Sequence, residues 1–171
     1  MTDEALKIRL GTPNDEKPML ELALKAWKEN GIKNVNPEKM LGMLCPALHL
    51  WQGLVGIIGE PGEKIEAAIL LRTVEMWYSN DFIIEEKAIF VDPEFRGKNM
   101  HNRSQQQVGH ARALCDFSKR VADELDLPLI IGVLSNERTK AKVRLYERQF
   151  GEPAGAFFLY NAKTGHEIME H

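Results

Sequence analysis

Between Leu54 and Val91 the chain carries three β-patterned runs in succession, and this succession constrains the fold more than any other feature. Leu54-Val-Gly-Ile-Ile-Gly is the first. The turn signal Glu60-Pro-Gly-Glu-Lys follows, then a long β-rich stretch from Ile65 to Trp77, the turn Ser79-Asn-Asp, and a third run from Phe82 to Val91. Runs joined by such short turns pair as an antiparallel meander. Pro93 then stops the third strand, because proline has no N–H to give a ladder. From Val108 the period becomes helical: Val108, Ala111, Leu114/Cys115, Val121/Ala122 and Leu125 form one apolar stripe. Leu127-Pro-Leu-Ile-Ile-Gly-Val-Leu, short and wholly apolar, reads as a buried central strand. Strand, helix and strand over 82–134 therefore make one β-α-β crossover with a parallel pair.

The flanking segments complete the order. Leu6 to Leu10 alternates and reads as a first strand. Gly11-Thr-Pro-Asn-Asp starts a helix carrying Met19, Leu20, Ala23, Leu24 and Trp27, which Asn30-Gly31 ends. A shorter helix is expected from Pro37 to Leu44, stopping before Pro46. Thr139 to Gln149 is a helix closed by Gly151 and Pro153, and Ala156-Phe-Phe-Leu-Tyr is a last strand. The order is β-α-α-β-β-β-α-β-α-β. That is an α/β chain with a mixed, mostly antiparallel sheet and flanking helices, not a doubly wound Rossmann fold. Residues 1–171 read as one domain.

Composition excludes more than it selects. The net charge of −3 argues against a general nucleic-acid binder, although Lys98, Arg103, Arg112, Lys119 and Arg120 make a local basic set. Cys45 and Cys115 have no zinc spacing, so no metal is expected, and Cys115 on the helical stripe reads as core. The polar, acidic start has no apolar signal region behind it, and no apolar run reaches membrane length. A reduced cytoplasm is the expected setting.

The chemistry concentrates in Ile89-Phe-Val-Asp-Pro-Glu-Phe-Arg-Gly-Lys, where a strand runs into a proline turn and a basic, glycine-bearing loop ahead of a helix. A helix N-terminus with free amides is an anion site. These residues resemble the GNAT superfamily of acyl-CoA-dependent N-acyltransferases, whose strand ends Leu-x-Val-x-Pro-x-x-Arg-Gly and runs into Arg/Gln-x-x-Gly-x-Gly/Ala. Ile89 to Gly97 matches the first half. The expected glycines of the second half are Asn99 and His101, but Gln106-Gln-Val-Gly109-His-Ala111 matches it downstream. The expected arrangement is an inserted loop at about 97–106, holding Lys98, His101 and Arg103, ahead of the true pyrophosphate loop.

The resemblance implies the rest. Acetyl-CoA is the acyl donor, with no metal. Ile89, Phe90, Val91 and Arg96 supply the strand and turn; Gln106, Gln107, Val108, Gly109, His110 and Ala111 the pyrophosphate cradle; Asn136 a contact near the pantetheine. Arg144-Leu-Tyr146 resembles the family's Leu-Tyr segment, which makes Tyr146 the acid that protonates the leaving thiolate. The Asn136–Tyr146 spacing is about one helical turn longer than usual. Glu85 stands where many relatives carry a glutamate and is the candidate base; alternation puts only one of Glu85 and Glu86 on the active face unless a bulge intervenes. The acceptor, a small-molecule or protein amine, is expected among residues such as Trp27, Trp51, Trp77 and Tyr78, most of which read as core. The Phe157–Tyr160 strand could serve a homodimer but reads more simply as core. A non-catalytic module that keeps the fold and binds CoA or a protein is the alternative.

Overall fold

The computed structural model describes residues 6–96, 109–135 and 138–161. Its elements are β1 (Ile8–Leu10), α1 (Glu16–Asn30), α2 (Pro37–Leu48), β2 (Leu54–Ile58), β3 (Ala67–Glu75), β4 (Phe82–Val91), α3 (His110–Leu125), β5 (Leu129–Ile130) and α4 (Thr139–Phe150). The sheet runs β1-β2-β3-β4-β5. The first three pairings are antiparallel, as the meander requires, and β4–β5 is parallel, as the crossover requires.

Alternation along the strands divides the core in two. Val55, Ile57, Leu70 and Phe90 face α1 and α2, where they meet Met19, Leu22, Leu44 and Leu48. Ile58, Ile69, Leu71 and Ile84 face α3 and pack on Leu114 and Val121. Gly56 makes the second face possible. A Cβ there would lie 2.5 Å from the Phe117 ring, so its absence lets α3 seat directly on β2.

Three departures from expectation have physical causes. The helix α2 does not stop before Pro46 but runs to Leu48. Pro46 comes close to the end, where only one ladder bond is lost, and His49 N–H resumes the ladder to Cys45 O at 3.0 Å. The expected strand over Leu127–Leu134 shrinks to Leu129–Ile130, paired only with Ile84 and Glu85. The last strand, Ala156–Tyr160, is not formed among the described residues, and Phe157, Phe158, Leu159 and Tyr160 are exposed rather than core. A strand needs a partner edge, and β5 offers only two residues; Phe157 lies beside Gly132, where a Cβ would come within 3.1 Å of its ring. Trp51, Trp77 and Tyr78 are likewise exposed, not core. No described helix is long and apolar enough to cross a membrane.

Candidate active site

The early end of β5 decides the site. From Glu86 onward, β4 has β3 on one side and, among the described residues, no strand on the other. In the space this leaves lies a cavity of about 370 Å³, lined by the end of β4, the start of α3 and one face of α4. Ile89, Phe90, Val91, Arg96, Gly109, His110, Ala111 and Tyr146 all line it. Of the described residues named above as catalytic or cofactor-binding candidates, only Glu85 is missing from this lining. Gln106, Gln107, Val108 and Asn136 lie outside the described residues, as does the loop at 97–106.

The turn after β4 is fixed by charge. Asp92 is buried, its side chain accepts from Glu94 N–H at 3.0 Å, and Lys25 of α1 reaches it at 2.6 Å. Burial alone would raise this carboxyl, but Lys25 and the Glu94 amide outweigh it and hold it below the ordinary range. Arg96 is tied on three sides: its Nε donates to Val91 O at 2.9 Å, its Nη1 meets Glu29 at 2.8 Å, and its guanidinium lies 4.9 Å from the Phe90 ring centre. A cation is therefore held at the cavity wall before any ligand arrives.

Gly109 is the N-cap of α3 and has no side chain to cap its first-turn amides, which lie at the positive end of the helix dipole. Its φ of −63° needs no glycine, and a Cβ there would meet nothing within 4 Å. Neither the backbone conformation nor a described neighbour requires a glycine at this position. The His110 ring is committed elsewhere, 2.6 Å from Glu66. What His110 can offer an anion is its backbone amide.

The two glutamates of β4 face opposite ways. Glu85 pairs with Arg72, whose guanidinium donates to Met43 O on α2 at 3.2 Å, and it binds Lys87 at 2.7 Å. Glu86 pairs with Leu71, on the α3 side. Uninterrupted alternation back from Ile89 would reach Lys87 and Glu85. A bulge opposite Leu70/Leu71 makes Lys87 the extra residue and puts Glu86 in phase with Ile89 instead. Gly132 N–H donates to Glu86 at 3.4 Å. Burial raises the Glu86 carboxyl to about 7, against the pull of that amide and of Lys142.

The remaining groups come from α4. Tyr146 is buried, and burial, then the charge of Glu86, raises its phenol above the ordinary range. Lys142 is one turn earlier on the same face, and burial, with Arg96 and Arg138 nearby, lowers its ammonium despite Glu29 and Glu86. The i, i+4 spacing to Tyr146 was the available signal for Lys142. Cys115 is fully buried, and its thiol is pushed up to about 12, mainly by burial, which leaves it inert.

The solved structures that this chain resembles align with it over most of its length. A predicted acetyltransferase from Clostridium acetobutylicum, solved with acetyl-CoA, aligns with a TM-score of 0.68 at 13% identity, over 96% of this chain and 97% of that one. A ribosomal-protein-alanine N-acetyltransferase from Brucella melitensis biovar Abortus 2308 aligns at 0.65 and 15%, over 92% and 99%. The fold is that of the GNAT acyltransferases. AAC(6')-Iy, solved with the bisubstrate analogue CoA-S-monomethyl-acetylneamine, shares the GNAT fold at 0.64 and 14%, over 92% and 97%. No protein-family model matches the sequence, and no curated protein matches it.

Proposed function

We propose that this chain is an N-acyltransferase that moves an acetyl or short acyl group from acetyl-CoA to an amine, by direct attack in a ternary complex. The observation that carries the reading is the convergence on one cavity of the free end of β4, the open N-terminus of α3 and Tyr146. The α3 amides and Arg96 supply positive potential for a pyrophosphate. The unpaired β4 edge supplies backbone groups that an extended pantetheine arm can meet.

Position and proton traffic follow. The site holds thioester and amine together, which converts a bimolecular attack into a local one. The amine nitrogen bonds to the carbonyl carbon and the carbon–sulfur bond breaks. Glu86, with a proton affinity near neutrality, takes the proton the nitrogen sheds; Glu85 is on the other face of the sheet. Tyr146 gives its O–H to the departing sulfur. Protonation of Glu86 removes one of the charges that raise the phenol, so the base step makes the acid step easier. The proton count closes when Glu86 returns its proton to the phenolate.

The test pairs binding with turnover. At about a hundredfold excess over Kd, acetyl-CoA adds about 2.7 kcal/mol of stability, a rise of several degrees in Tm. Free thiol should then accumulate when a suitable amine is added. No shift at saturation overturns the reading; a shift without thiol release across a broad amine panel leaves a CoA binder.

A further inference from the structure

A second cavity, about 400 Å³, lies on the α1/α2 face of the sheet. We propose that it receives the apolar body of the acceptor: a primary amine joined to an uncharged alkyl or aryl group, not a polyamine or an amino sugar. This rests on the acyl-transfer reading above and deepens it.

Three observations carry it. The first is composition. The lining includes Met19, Met40, Met43, Leu70, Phe90 and Trp27, with no carboxylate. Its one ionisable group, Lys87, is already held by Glu85 at 2.7 Å. A second ammonium on the acceptor would be desolvated beside Lys87, with the neighbouring carboxylate, Glu85, already taken, a costly placement. Thioethers are adaptable and soft, which suits a ring or chain of variable shape.

The second is access. The described pairing of β4 with β5 ends at Glu85, and the two cavities adjoin further along β4, at Phe90. Phe90 lines both cavities, and the last turn of α1 supplies Glu29 to the first and Asn30 to the second. An amine anchored in the second cavity is therefore directed toward the first past Phe90 and the last turn of α1.

The third is that the wall is built and held. The Trp27 indole N–H donates to Lys33 O at 2.7 Å. Its ring lies so close to Gly31 that a Cβ there would come within 2.3 Å of Cδ1. Gly31 sits at an ordinary φ of −67°, so contact with the Trp27 ring and with its carbonyl oxygen at 2.7 Å, not backbone conformation, is what a side chain at this position would violate.

The experiment measures kcat/KM with acetyl-CoA for methylamine through hexylamine, phenethylamine, spermidine and kanamycin. Burial of each methylene is worth about 0.8 kcal/mol, so kcat/KM should rise roughly fourfold per carbon until the cavity is full. Spermidine and kanamycin should stay near methylamine. Ala88→Leu should move the optimum to shorter amines and Met40→Ala to longer ones, both with the KM for acetyl-CoA unchanged. A flat series, or a preference for the polycations, in protein that still gains Tm from acetyl-CoA overturns this inference alone. Failure of acetyl-CoA to raise Tm overturns the acyl-transfer reading with it.

Discussion

Across the gap where β4 and β5 part, the Gly132 amide donates to Glu86 Oε2 at 3.4 Å. This contact holds a largely desolvated carboxylate beside Tyr146 and Lys142, and it gives the site a pH dependence. With its carboxyl raised to about 7, Glu86 should impose an inflection near that pH on kcat/KM, activity rising as it ionises. Glu86→Gln should lower kcat/KM about 10²-fold at pH 8 and remove the inflection, leaving only the ionisation of the amine itself. Activity within twofold of the parent would exclude the base role.

The same group makes a stability prediction of opposite sign. Its folded value lies above its unfolded value of 4.5, so its contribution is fully present below pH 4.5 and is lost as pH rises through about 7. At pH 8 the parent protein carries a buried charge that Glu86→Gln lacks. The variant should therefore melt higher at pH 8, and the difference should vanish near pH 4. Paired thermal melts at the two pH values decide it.

Tyr146→Phe keeps the ring that packs against Phe150 at 5.7 Å and deletes only the hydroxyl. Acetyl-CoA should raise Tm as before, while kcat falls about 10²-fold, the scale of a lost general acid. An acyl donor with a better leaving thiol should recover most of the loss, because it needs no proton. A drop that is equal for both donors would point to misplaced packing instead.

Gly109→Glu sets a carboxylate and its bulk in the open space before α3. It should abolish the Tm shift with acetyl-CoA and leave the apo melt within about a degree, since a Cβ at this position meets nothing. Gly109→Ala, which adds bulk without charge, should bind with intermediate affinity. Normal binding by the glutamate variant would place the pyrophosphate elsewhere.

What the sequence disclosed about this site was what is local. Val91, Pro93 and Arg96 announce a strand, its stop and a cation within a few residues, and the helical stripe from Ala111 locates α3. Which of Glu85 and Glu86 faces the site was hidden because it depends on a bulge, and the bulge is a property of the pairing of β4 with β3 rather than of β4. Ala156–Tyr160 misled for a related reason: the residues favour a strand, but the edge that would receive it ends at Ile130. Glu29 reaches the site from the end of a helix distant in sequence, and only the fold brings it to Arg96, whereas the helical spacing of Lys142 from Tyr146 could be read once α4 was placed.

Gly56 offers a test of how the sheet supports α3. A Cβ there would meet Phe117 Cε1 at 2.5 Å and Ile69 Cγ2 at 3.1 Å. Phe117 cannot retreat easily, because the neighbouring Leu114 and Cys115 of α3 are fully buried. Gly56→Ala should therefore cost about 2 kcal/mol through overpacking, or roughly 4–8 °C in Tm for a chain of this size. Phe117→Leu alone should cost a similar amount through the lost ring. Together the two should cost less than their sum, since the smaller side chain gives the new methyl room; residues in contact couple in this way. Strict additivity in the double variant would show that Gly56 acts through the strand backbone and not through its contact with Phe117.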